Sequence, residues 1–356
     1  MFNGSFFGGS DDFVFTSLYD GGSSTAFQNP VITPDGTGVV TGSDGSGLGA
    51  FRRFAADGSS SVWTIPYNAG NESFDIDSEG TRVVHGSMTP GIIGSVRIYT
   101  VPTTPGAVVL EQTLQAPIPA VGDLYGQSVA INYAGSLLWV AAKDVIYMYT
   151  RSGTAWTYIT SISLPVDSSD TKTINISVSS DVNTLVVGRP GYPVGGIAGR
   201  GIVYVYNGNS LQATINPSDN TAYAALGFGG TVSITQDGNK ITATSSPIAS
   251  TTVGDVYTYT RSGSTWTTGV KTSLAEGRVV GAAVSPNGLG MIALNYSTTT
   301  PIVAIFTWTG STWSRITTVD RATLSAGQGL NRGQSLANDY TFIVGPRIQM
   351  FRKTIV

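Results

Sequence analysis

Tyr125–Leu164 reads YGQSVAINYAGSLLWVAAKDVIYMYTRSGTAWTYITSISL, and this stretch decides the fold. Apolar residues come in short alternating runs, Ser128–Asn132, Leu137–Ala142, Val145–Thr150 and Trp156–Leu164. A period of two, with none at 3.6, belongs to strands that bury one side. Between the runs lie Tyr133-Ala134-Gly135 and Arg151-Ser152-Gly153-Thr154. Glycine there supplies the positive φ that tight hairpins use. The stretch predicts four antiparallel strands.

Working outward, the first turn recurs as Pro34-Asp35-Gly36, Ser78-Glu79-Gly80, Ser180-Asp181-Val182-Asn183, Gln236-Asp237-Gly238, Pro286-Asn287-Gly288 and Ala337-Asn338-Asp339, at spacings of 44 to 56 residues. In phase with it runs an alternating apolar-aromatic strand: Val96–Tyr99, Ile146–Tyr149, Val203–Tyr206, Val256–Tyr259, Ile305–Trp308 and Ile348–Phe351. A blurred version, Ala50–Phe54, stands in the first unit. The hairpin that opens on Trp156 returns before Trp266 and Trp313. Seven units of about 50 residues, four strands each, are the signature of propeller blades.

The expected fold is all-β: one closed seven-bladed β-propeller spanning 1–356, four antiparallel strands per blade. Its blades fall near 26–70, 71–117, 121–165, 170–217, 222–276 and 277–323, and the last combines 324–356 with 11–20. The last unit runs out after three strands, and Phe13–Tyr19 is a spare strand at the other end. Pairing the two would complete the blade and remove an exposed sheet edge, which is otherwise prone to aggregation.

Composition narrows the function. Charged residues are 12% of the chain, the net charge is −3 and the pI near 5.1, so no basic face for nucleic acid is expected. Cysteine is absent, which excludes disulfides and thiolate chemistry. The first cation is Arg52, and no apolar run nears the roughly 18 residues of a membrane span, so neither a signal peptide nor membrane insertion is expected.

Gly227-Phe228-Gly229-Gly230-Thr231-Val232-Ser233-Ile234 followed by Asp237-Gly238-Asn239, Tyr125-Gly126-Gln127-Ser128, and Leu185-Val186-Val187-Gly188-Arg189-Pro190 resemble FG-GAP repeats, the blades of integrin-α-type propellers. That family carries calcium loops of the Asp-x-Asp-x-Asp-Gly kind. Asp75-Ile76-Asp77-Ser78-Glu79-Gly80 comes nearest but lacks three spaced carboxylates and begins inside a predicted strand, so no metal or other cofactor is carried over. The Ser-Gly-x-x-Trp hairpins resemble the Asp-box of sialidase propellers without its aspartate, and Trp156, Trp266 and Trp313 are expected to be packing anchors between neighbouring blades. Propellers of this Ser/Thr/Gly-rich kind also resemble proteins of phage surfaces.

No catalytic kit is legible. His85 is the only histidine, at the end of a predicted strand, and the expected reading is structural. Arginines are scattered. The Gly-rich segment Gly188–Gly201 is not followed by a helix N-terminus, so it is no phosphate cradle; it is a long loop between strands, where partner contacts concentrate. Ser87–Ser95 and Ser245–Gly254 hold the same place in their units. The candidate partner-binding residues are Arg189, Tyr192, Arg200, Met88, Ile92, Ile93 and Ile248. The expected function is a non-enzymatic structural protein of a virion, a capsid decoration or tail-associated propeller made in the host cytoplasm and binding other virion proteins. The alternative is an adhesin or lectin that holds a host glycan or receptor on the loop face.

Overall fold

A computed structural model describes residues 13–20, 31–41, 48–54, 60–66, 71–88, 93–102, 104–171, 173–180, 184–217, 227–245, 254–295, 302–319, 334–337, 342–344 and 349–355. These form strands joined by turns and loops, with no helix among them. The third unit holds strands Ser128–Ile131, Leu137–Ala141, Val145–Ser152 and Ala155–Ser163, each antiparallel to the next, as the alternation predicts.

Seven sheets are built this way among the described residues. Their first strands are Val31–Ile32, Asn71–Ile76, Ser128–Ile131, Asn175–Val178, Val232–Ile234, Val279–Val284 and Gln334–Leu336. In the seventh, the outer strand is Phe13–Asp20, antiparallel to Gln349–Ile355, with Phe13 opposite Ile355 and Asp20 opposite Gln349. The sheets touch through their first strands in chain order. The last of these, Gln334–Leu336, also touches the first, Val31–Ile32.

In six of the seven sheets the hairpin between first and second strands is tied by one buried polar residue. Thr33, Asp77, Asn132, Ser179, Thr235 and Ser285 take that place in the first six sheets. The side chain accepts from the backbone N–H five residues on: Gly38 to Thr33 Oγ1 at 2.8 Å, Arg82 to Asp77 Oδ1 at 3.0 Å, Leu137 to Asn132 Oδ1 at 2.9 Å, Thr184 to Ser179 Oγ at 3.2 Å, Lys240 to Thr235 Oγ1 at 3.0 Å and Gly290 to Ser285 Oγ at 2.8 Å. Short polar side chains compete well for such local bonds, which is why these types recur before the turns. In three turns the next residue reaches the neighbouring sheet. Ser78 N donates to Tyr133 O, Ser180 N to Gln236 O and Gln236 N to Pro286 O.

Between sheets, first strands exchange side-chain bonds. Asp75 Oδ2 accepts from Ile131 N at 2.8 Å, Ser128 Oγ from Ile176 N at 3.2 Å, Ser177 Oγ from Ile234 N at 3.3 Å and Ser233 Oγ from Val284 N at 3.4 Å. These serve backbone N–H groups on strand edges that the sheets themselves leave unpaired. The apolar cores lie between neighbouring sheets: one joins the second and third, another the third and fourth, another the fourth and fifth. Trp156 and Trp313 each belong to the core shared with the preceding sheet, and Trp266 packs against the core of the fourth and fifth sheets.

Two features were not legible in the sequence. Five of the seven outer strands carry a β-bulge at a fixed place, with Leu18, Glu111, Ile159, Gln212 and Ile316 as the extra residues. A bulge twists an edge away from further pairing. In the second sheet the link from third to fourth strand is a strap instead of a tight hairpin. Its Gly106–Ala107 runs parallel to Trp63–Thr64 as a fifth strand of the first sheet, and Trp63 Nε1 donates to Thr104 O at 2.7 Å.

Candidate partner-binding face

Antiparallel alternation puts the loop between second and third strands on the edge where the chain enters the first strand and leaves the fourth. The tight hairpins occupy the opposite edge. On the loop edge, glycines press against the backbone of the next unit. A Cβ at Gly94 would lie 1.9 Å from Tyr125 O, and one at Gly201 2.2 Å from Phe228 O. Tyr125 and Phe228, the aromatics of the FG-like pairs, are wholly buried beside these contacts. The motif's chemistry here is close approach.

The Gly188–Gly201 loop is braced from within. The Arg189 side chain is fully buried and pairs with Asp170, also buried, and with Asp144 at 3.0 Å. Its Nη1 donates to Pro165 O at 2.5 Å, and its guanidinium lies 5.0 Å from the Tyr192 ring. One cation thus joins the turn after Ala142, the link between the third and fourth sheets, and the loop itself. Tyr192 meets Tyr204 edge-on at 6.3 Å, and burial holds the Tyr204 hydroxyl protonated well above its ordinary range. Val194 bridges Ile197, leaving exposed Gly195 and Gly196, both at positive φ, as the tip.

Set against the sequence reading, the structure distributes the candidates unevenly. Arg189 and Arg200 are buried, so they hold the loop and do not present it. A loop arginine reads as surface in sequence, and its burial depends on Asp144 and Asp170, which come from other segments. Tyr192 and Met88 are half-buried, and Ile93 is 37% exposed. Ile92 and Ile248 lie outside the described residues. Of the three loops expected on one face, only 188–201 is described throughout.

The loop edge exposes other residues. Ile118 is 84% exposed and Val121 68%, both on the link between second and third sheets, and Val166 is 72% exposed on the next link. Their sequence signal was the pairing of aliphatic residues with Pro117, Pro119 and Pro165, since a proline cannot donate to a strand ladder. No family model matches the chain, and no curated protein matches it.

The residues weighed for chemistry are accounted for locally. His85 is buried and stacks on Phe74, with centroids 4.6 Å apart and rings 8° from parallel; burial, and then Arg97, pull its pKa down to about 3. Asp75 is pushed up to about 7 by burial, against bonds from Ile131 N and Ile76 N and aided by nearby Asp77. Asp77 clasps its own hairpin through Thr81 and Arg82. Among the described residues no three acidic, histidine or cysteine side chains are grouped to hold a metal ion.

Proposed function

We propose that the chain is a single closed seven-bladed β-propeller of the FG-GAP kind, and that it is a non-enzymatic structural protein of a virus particle, held to capsid or tail neighbours by protein–protein contacts. Two facts support the closed ring: first strands that touch in cyclic order, and chain ends that share one sheet. The contact role rests on one observation. The loop edge presents Ile118, Val121 and Val166 to solvent, and the Arg189–Asp170 pair that braces it is buried. Exposed aliphatic groups on a rigid frame favour association with another protein surface.

The test is to sediment particles from the source lysate and follow the chain by mass spectrometry. The proposal expects a fixed ratio to the particle. Recovery only as a free 37.0 kDa species would sink it. Substituting Ile118→Asp together with Val166→Asp should lower incorporation without moving the melting temperature, because both side chains already face water.

A further inference from the structure

The tryptophan of the third-to-fourth-strand hairpin reaches back to the preceding sheet wherever it occurs. Trp156 Nε1 donates to Glu111, the bulge residue of the second sheet, at 3.0 Å, and its backbone bonds Gln112, the residue after the bulge. Trp313 Nε1 donates to Thr258 of the fifth sheet at 2.8 Å. Trp266 packs on the core of the fourth and fifth sheets. One third-strand position, the residue just before the strand's last tyrosine, backs each contact on the preceding sheet. It is Ile98 for Trp156, Val205 for Trp266 and Thr258 for Trp313, and all three are completely buried.

Between the third and fourth sheets that ring is missing. The fourth sheet's hairpin closes early, at Tyr206 opposite Leu211 and Asn207 opposite Ser210, where the third sheet pairs on through Arg151 and Trp156. Trp156 stands three residues before the bulge residue of its own strand, Ile159. The residue three before bulge residue Gln212 is Asn209. Its Nδ2 reaches Thr160 Oγ1 at 3.2 Å, the residue after a bulge, as Trp156 reaches Gln112. Asn209 therefore holds the tryptophan's place with a side chain too small to fill it.

The consequences are visible in exposure. Met148, the counterpart of Ile98, Val205 and Thr258, is only half-buried; Thr150 is exposed, and Ile159 is 47% exposed. Across the gap, Leu211 is 51% exposed. No charged residue occurs in 152–164 or 201–217, so both flanking strands are neutral.

We infer that this notch is a binding site for an indole ring, the tryptophan side chain of a partner protein. The chain itself supplies the argument for the occupant, since it seats its own tryptophan in this setting three times. A neutral wall suits an uncharged aromatic ring, and the Met148 thioether is a soft, adaptable floor for one. The site rests on repeat geometry and not on the particle role, so either can fail without the other.

The experiment uses the full-length protein carrying 13C-methyl methionine, with the Met148 signal assigned by Met148→Leu. N-acetyl-tryptophanamide should shift the Met148 methyl saturably and leave that of buried Met291 in place. N-acetyl-leucinamide should bind about tenfold more weakly, the loss of some 1.4 kcal/mol. Leu211→Asp, at an exposed position, should abolish the response with the fold intact. An unmoved Met148 signal, or equal shifts from both amides, would overturn the inference.

Discussion

At the scale of single residues, the hairpin clasps carry a plain expectation. Ser285→Ala strips the acceptor from the buried N–H of Gly290, and Asn132→Ala from the half-buried N–H groups of Ser136 and Leu137; each should cost about 1–3 kcal/mol in urea unfolding. The same changes at exposed Ser264 or Thr154, in the opposite kind of hairpin, should cost little. Titration supplies a second expectation. Asp75 has its folded pKa raised to about 7 above an ordinary 3.8, so its contribution favours the fold at low pH and is lost as pH rises across that window. His85 is lowered to about 3 from 6.5, so its contribution is present above 6.5 and lost as pH falls toward 3. Between about pH 4 and 6.5 the two oppose each other, and wild-type stability should be nearly flat. Asp75→Asn should unmask a rise with pH and His85→Phe a fall, each with a slope of at most about 1.4 kcal/mol per pH unit. Parallel profiles for the two variants would contradict these assignments. The hairpins were legible as turn signals such as Asp-Gly and Asn-Gly, and the buried residues that clasp them were not. The burial of Arg189 was not, because nothing local in Gly-Arg-Pro-Gly announces two aspartates 19 and 45 residues away.

Elements differ in how well their anchors are satisfied. Trp156 and Trp313 each donate from Nε1, whereas the buried Nε1 of Trp266 has no acceptor. Replacing each by phenylalanine should therefore give an order. Trp156→Phe and Trp313→Phe should cost about 1–2 kcal/mol more than Trp266→Phe, since an N–H that makes no bond forfeits none. Thermal melts of the three variants check this, and equal losses would mean that ring volume alone counts. Strand positions were readable because period-2 alternation reports burial directly. The bulges and the Gly106–Ala107 strap escaped, since one extra residue in an outer strand leaves the alternation only slightly out of step. A parallel pairing made by a connection leaves no alternation at all.

For the whole molecule, the pairing of Phe13–Asp20 with Gln349–Ile355 is the long-range event on which the proposed ring depends. The register sets Thr16 opposite Arg352, and the chain has no cysteine to interfere. Thr16→Cys with Arg352→Cys should form a disulfide across that pair and stabilise the oxidised protein by up to about 5 kcal/mol, the chain-entropy gain for a very long loop. Calorimetry with and without reductant measures it. No gain on oxidation would argue that the two strands are apart in solution. This pairing was legible only because the repeat was counted first: three strands at one end and one left over at the other make sense only as a set of four.

Because Phe13 faces Ile355, the start of the first strand and the end of the last lie at one spot, and the order in which the chain runs through the sheets is not essential to them. A short bridge between the ends would make the order of units circular, and the chain could then be reopened elsewhere. Gly153 is a natural place for new termini, with an exposed hairpin around it and empty space where a side chain would be. A permuted protein opened there would fold around a complete seventh sheet made of contiguous sequence, with the seam moved to the third.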